Sequence, residues 1–238
     1  MVTSNRVSCV DTLRGVAIIL MVIFHFCYDL QYFKIYNFHI TSNPFFLNFR
    51  VLIVTLFLFI VGVSLYLSHQ ETIRWHRVKK RVFVLFGVAL LISLVTYFIF
   101  PRTWIYFGII HFIALASLFG LFFLRQRVVA FIIGVGVIVL YNLGFISMHP
   151  LFSYIAPKIG LPLYHTEDLV PFIPWFGVVL VGIALSSSFV YFCQKKKIEA
   201  FFRKLSLLNF LGRHALLIYL LHQVILFALF FVILSIIP

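Results

Sequence analysis

Apolar residues fill seven long stretches of the 238-residue chain, with short polar connections between them. A helix crossing a bilayer needs about 20 mainly apolar residues, because only a closed backbone hydrogen-bond ladder is stable in hydrocarbon. The stretches that meet or approach that length are Gly15–Tyr32, Val51–Leu67, Val82–Phe100, Ile105–Leu124, Val128–Leu143, Leu169–Phe192 and Ala215–Ile237. They predict an all-α polytopic membrane protein of about seven transmembrane helices, forming a single domain over residues 1–238. The fifth is the shortest and carries Asn142 near its end. Arg6 and Arg14 precede the first stretch as in a signal peptide, but no small-residue cleavage site follows, so a retained helix is expected.

The connections sharpen the picture. Gly144–Asp168 contains Pro150, Pro157 and Pro162 between short apolar pieces, which suits a segment lying on or dipping into the membrane surface. Lys195–Lys204 mixes cations with Ile198, Phe201 and Phe202 at helical spacing, the pattern either of an interfacial amphipathic helix or of an ordinary solvated loop. Val61-Gly-Val-Ser-Leu65 is echoed by Val181-Gly-Ile-Ala-Leu185, which a weak internal repeat or small residues for close helix packing would explain equally.

Composition agrees with the pattern: 63% of residues are hydrophobic and 11% charged, with a mean hydropathy of +1.13. Soluble domains carry about 25% charged residues. The net charge of +13 would suit a nucleic-acid binder, but its distribution does not. Fifteen Lys and Arg fall in the N-terminal segment and the second-to-third, fourth-to-fifth and sixth-to-seventh connections; four, Lys34, Arg50, Arg102 and Lys158, fall on the other side. That bias predicts a cytoplasmic N-terminus and a C-terminus outside. No nucleic-acid partner is expected. Cys9, Cys27 and Cys193 are far apart and form no CxxC, indicating neither a zinc site nor a disulfide framework.

An ionisable group inside hydrocarbon costs several kcal/mol, so each one in a span needs a partner or a task. His25 lies in the first span, His111 in the fourth and His222 in the seventh. Asp29 follows His25 by four residues and shares its helical face. Eleven steps of about 100° bring Arg14 onto that face too, roughly 16 Å away along the axis. The face reads Asp11, Arg14, Ile18, Met21, His25, Asp29: ionic at the mouth, apolar in between, ionisable again inside. It suits an anion-binding arginine at the boundary and a general base within the membrane, oriented by a carboxylate. A positive-inside anchor and a buried structural pair would account for the same residues. His111 alone suits a structural role, and His222, with Tyr219 and Gln223, an interhelical hydrogen bond. The remaining histidines, His39, His69, His76, His149, His165 and His214, fall in loops or at span ends, where solvation is expected. The sequence contains no Walker-type phosphate loop, HExxH, GxSxG or metal-ligand cluster, so no metal is expected.

Asp11-Thr-Leu-Arg14-Gly15 with His25-x-x-Tyr28-Asp29-Leu30 resembles the transmembrane acyltransferase superfamily, in particular bacterial relatives of the heparan-α-glucosaminide N-acetyltransferase catalytic domain. Thr55–Ser64, Tyr106–His111, Pro174–Gly177 and Gly212–His222 extend the resemblance over nearly the whole chain. It implies a multi-pass enzyme of the bacterial cytoplasmic membrane that takes acetyl from acetyl-CoA and delivers it to a sugar amine or hydroxyl outside. Membrane lipid, acyl-CoA and an outer-side glycan are the implied partners, and a homodimer is compatible. The donor-binding role then falls on Arg14 and the catalytic role on His25 with Asp29. The sugar N-acetyltransferase places its catalytic histidine after the first helix, where this chain offers His39, so His39 is the competing candidate; His111 and His222 are additional ones. The alternative class is a proton-coupled transporter or flippase with an intramembrane His/Asp relay, and a third is a non-enzymatic subunit.

Overall fold

The computed structural model describes residues 7–70, 72–162 and 166–236. Arg6, His165 and Ile237 lie outside them, as does the side chain of His149. The chain is all-helical: α1 (Ser8–Tyr32), α2 (Pro44–Ser68), α3 (Trp75–Ile99), α4 (Ile109–Gly120), α5 (Arg127–Asn142), α6 (His149–Ile155), α7 (Phe172–Cys193), α8 (Lys196–Lys204), α9 (Ser206–Arg213) and α10 (Ala215–Ile236). Short 3₁₀ turns, Leu121–Phe123 and Ala156–Ile159, extend α4 and α6. Five helices, α1, α2, α3, α7 and α10, are long and apolar enough to cross a membrane; α4 with its 3₁₀ turn and α5 are apolar but shorter. This is the architecture of a polytopic membrane protein. Its many lipid-sized side chains at the surface, such as Phe83, Phe98 and Val224, fit a hydrocarbon solvent.

The chain forms two compact units, one of residues 1–60 and 188–238, the other of residues 61–187. In the first, α1 is flanked by the beginning of α2, by α9 and by α10. Ile18 and Met21 of α1 meet Ile53 of α2 and Ala215 of α10, with Phe24, Phe49, Phe57 and Tyr219 around them. Phe26 stacks on Phe230 at 5.6 Å, and Phe33 on the same ring at 5.3 Å. Cys9 and Cys193, 184 residues apart in sequence, lie side by side with Cα atoms 5.9 Å apart. The first turn of α1 and the last of α7 bring them together, a proximity that sequence spacing cannot express.

In the second unit the echoed segments prove to be neighbours. A Cβ on Gly62 would lie 2.9 Å from the Ile183 nitrogen and 3.0 Å from Gly182 Cα, so α2 and α7 cross in backbone contact there. Gly134 of α5 and Gly177 of α7 make a second such crossing, each leaving room for the other's carbonyl. The fourth helix starts at Ile109 rather than Ile105. Gly108 is extended, and the Ile109 N–H donates to Asp168 Oδ2 at 2.9 Å, so a carboxylate from a distant loop caps the helix. The expectation of solvated end histidines also needs one correction. His69 is only 8% exposed, its Nδ1 accepting the Arg74 N–H at 3.2 Å.

Candidate active site

The site assembles on α1, within the first unit. At the start of α1 the Asp-Thr-Leu-Arg-Gly run meets α9, an eight-residue helix absent from the sequence reading. Thr12 Oγ1 donates to Asn209 Oδ1 at 2.9 Å in a buried bond, and Asn209 Nδ2 donates to the Phe202 carbonyl at 2.7 Å. Gly15 and Gly212 sit where the backbones touch: a Cβ on Gly15 would run into the Leu208 carbonyl, one on Gly212 into that of Asp11. Only glycine permits this approach. Arg14 lies in the same seam. Its Nη1 donates to Asp11 Oδ1 at 3.1 Å and to the Gly212 carbonyl at 3.2 Å, and a quarter of its side chain remains exposed. The run thus seats α9 and leaves part of the Arg14 side chain exposed beside it. The expected amphipathic segment before it is a helix, α8, with no buried residue and an exposed Arg203–Glu199 pair at 3.3 Å.

Further along α1 the polar residues converge with α10. The His25 and His222 rings meet edge to face, 4.6 Å between centroids. His25 Nδ1 lies 2.9 Å from the Met21 carbonyl, and His222 Nδ1 lies 2.6 Å from that of Tyr219. A carbonyl only accepts, so both Nδ1 atoms carry the proton and both Nε2 atoms are the basic nitrogens. His222 is 9% exposed, and its Nε2 has no hydrogen-bond partner among the described residues. Asp29 is fully buried. Its carboxylate does not take up the one-turn pairing with His25 suggested by the spacing; Gln223 Nε2 of α10 donates to Asp29 Oδ1 at 2.7 Å. Asp29 Oδ2 and Gln223 Oε1 are buried without a partner among the described residues. Four polar side chains, two from each helix, thus face one another across an otherwise apolar contact. Three of their acceptor atoms, Asp29 Oδ2, Gln223 Oε1 and His222 Nε2, are thus without a partner among the described residues.

The other candidates stand elsewhere. His39 is exposed in the loop after α1, with φ +52°, its N–H donating to Asn37 Oδ1 at 3.0 Å. His111 belongs to the second unit. Its Nδ1 accepts the Gly108 N–H at 3.2 Å, which leaves Nε2 to donate to Ser93 Oγ at 2.9 Å, and Ser93 donates onward to the Ile105 carbonyl at 2.7 Å. Both ring nitrogens are engaged, so this histidine fastens α4 to α3. The sequence pattern assigned no role to Asn209, and to Gln223 only a place beside His222 in an interhelical hydrogen bond, whereas Gln223 itself makes the bond to α1. The signal was present: each is an amide within an otherwise apolar helical segment, where a polar group implies a partner.

A base-and-carboxylate cluster between two apolar helices, on the same helix as a partly exposed arginine, is suited to removing a proton from a nucleophile shielded from bulk water. No curated protein and no solved structure matches the chain. Residues 6–224 match the family described as "Heparan-alpha-glucosaminide N-acetyltransferase, catalytic", whose members use acetyl-CoA as donor. With more than nine-tenths of its length matched, the chain belongs to this family of membrane-bound, acetyl-CoA-dependent acetyltransferases.

Proposed function

We propose that the protein moves acetyl from cytoplasmic acetyl-CoA to an amine or hydroxyl of a sugar on the opposite side of a bacterial cytoplasmic membrane. In this reading α4 and α5 complete seven spans, with the N-terminus inside and the C-terminus outside. His25 is the general base. Its Nδ1–H is held by the Met21 carbonyl, which presents Nε2 to the acceptor. The acceptor nitrogen or oxygen attacks the thioester carbonyl, the C–S bond breaks, Nε2 takes the acceptor's proton, and the imidazolium returns it to the departing thiolate. His222, edge-on to His25, and the Asp29–Gln223 pair supply the acceptor atoms that hold the nucleophile's other donors. Arg14 guides the anionic donor at the mouth, because a guanidinium suits phosphate.

The single observation carrying this reading is the His25–His222 contact between two helices of a family that uses acetyl-CoA. The test uses the purified protein in proteoliposomes, with acetyl-CoA on the side of Lys195–Lys197 and an amino sugar or a neutral sugar on the other. Acetylated sugar should form with wild type, and Arg14→Ala should require about ten-fold more acetyl-CoA, the cost of one charge-assisted contact. Transfer only to acceptors on the donor's own side would overturn the transmembrane direction. Reporter fusions after α10 that are active only in the cytoplasm would overturn the seven-span topology.

A further inference from the structure

In the first unit α8 has no buried residue, yet its sequence is not that of a solvated helix. At about 100° per residue, Ile198, Phe201 and Phe202 fall within one arc of about 100°, with Lys196, Arg203 and Lys204 on the other side of the helix and Lys197 at the border. Phe201 is 58% exposed, a costly position in water. The apolar surface continues on α9. That helix seats on α1 through Asn209 and Gly212, and turns out Leu207 and Phe210, both more than half exposed.

The charge on this stretch is one-sided. Lys195, Lys196, Lys197, Arg203 and Lys204 stand against Glu199, the one acid in residues 188–238. Glu199 is taken by Arg203 at 3.3 Å, and among the described residues no carboxylate pairs with Lys196, Lys197 or Lys204. Lys195 stands over the rings of Tyr191 and Phe192, its Nζ 5.9 and 5.6 Å from their centroids. Exposed rings flanked by unpaired lysines, on a short helix beside apolar spans, match a bilayer surface: the rings enter the acyl boundary while the lysine stems carry their charge up to phosphates. A second copy of the chain is a poor match. Of its six acids, Asp29 is buried, Asp11 and Glu199 hold arginines and Asp168 caps α4.

We propose that α8 docks on anionic phospholipid, with Ile198, Phe201 and Phe202 in the acyl boundary and Lys196, Lys197 and Lys204 on headgroup phosphates, and that lipid held there steadies α9 against α1. The tie is Asn209, whose Nδ2 donates to the Phe202 carbonyl at 2.7 Å and whose Oδ1 accepts from Thr12 Oγ1 at 2.9 Å. Arg14 bonds the Gly212 carbonyl of α9, so the charge of the membrane surface bears on the setting of that arginine. Lipid contact of this kind is independent of which group the enzyme acetylates.

The test is hydrogen–deuterium exchange on the whole protein in nanodiscs of phosphatidylcholine alone and of equimolar phosphatidylcholine and phosphatidylglycerol. Amides of α8 should exchange at least about ten-fold more slowly in the anionic discs, with α9 slowing alongside and α10 unchanged. Raising the salt should remove the difference, because exposed charges are screened. A triple variant, Lys196→Gln with Lys197→Gln and Lys204→Gln, should exchange at the neutral-lipid rate in both discs, and Phe201→Ser should lose protection in the anionic ones. Equal exchange of α8 in the two discs, whether fast or slow, would overturn the lipid contact. Protection that appears in neutral discs on adding inorganic phosphate or coenzyme A would assign the lysines to a soluble anion, and protection that requires two copies per disc would assign the face to self-association; either overturns the proposal. Slowing of α8 without α9 would overturn the tie through Asn209. The comparison of wild type in the two lipids decides without any variant, so a variant that fails to fold leaves the test intact.

Discussion

The imidazoles of His25 and His222 stand edge to face at 4.6 Å, each with Nδ1 held by a carbonyl one turn back on its own helix. Either Nε2 could serve as the base, and substitution separates them. His25→Ala should lower transfer by about 10²–10⁴-fold while donor binding persists, the usual contribution of a positioned general base. His222→Ala should cost less if it only orients the acceptor, and His39→Ala should cost nothing. Single-turnover acetyl transfer measures all three. Loss in His39→Ala with activity retained in His25→Ala would move the chemistry to the loop.

The bond from Gln223 to Asp29 joins α10 to α1 through a carboxylate with no exposed surface. Gln223→Ala should lower stability by about 1–3 kcal/mol, because it strands a buried acceptor. In an Asp29→Asn background the same substitution should cost measurably less. A double-mutant cycle of thermal unfolding in detergent gives the coupling, and strict additivity would show that the bond contributes nothing.

Glycines at the α1–α9 seam and on an open face should respond oppositely to a methyl group. Gly212→Ala places a Cβ against the Asp11 carbonyl and should destabilise by at least about 1–3 kcal/mol. Gly87→Ala in α3 meets nothing within 4 Å and should stabilise by roughly 0.5–1 kcal/mol, because alanine loses less backbone entropy in a helix. Melting temperatures of the two variants in one detergent provide the comparison.

His69 lies just beyond the end of α2, with its proton affinity reduced by burial and then by Arg81, Arg74 and Arg77. The unfolded chain therefore takes up this proton at a higher pH than the folded one. Stability should be fully present above the ordinary histidine value of 6.5 and should fall as the pH drops through it. His69→Gln should flatten the part of the stability curve that falls as the pH drops below that value. An unchanged acid limb would mean that the side chain titrates alike in both states.

Much of the helical framework was legible in the sequence because a membrane span announces itself by length and apolarity. All seven apolar stretches became helices, but α1, α2 and α3 each begin about two turns before the apolar stretch does, at Ser8, Pro44 and Trp75. The Arg14-to-His25 face was legible too, since it follows from the helical repeat alone. What could not be read were relations between distant residues. Gln223 reaches Asp29 across 194 positions, Asn209 reaches Thr12 across 197, and Asp168 sets where α4 begins. An i,i+4 spacing offered His25 as the nearer partner of Asp29, and the tertiary contact with α10 prevailed. Helix α9 escaped notice because eight residues of mixed character are too short for a periodic signal.

The seam between α1 and α9 also has a consequence for biosynthesis. Helix α1 is made before its partners: those of Thr12, Arg14 and Asp29 lie at residues 209, 212 and 223. Throughout most of translation the nascent chain would therefore hold a buried-type carboxylate in lipid without its amide donor, a costly state for a lone helix. Helix α1 should therefore need its later partners for stable insertion: released chains truncated before Ser206 should be substrates for membrane quality control, while released chains that extend past Gln223 should not.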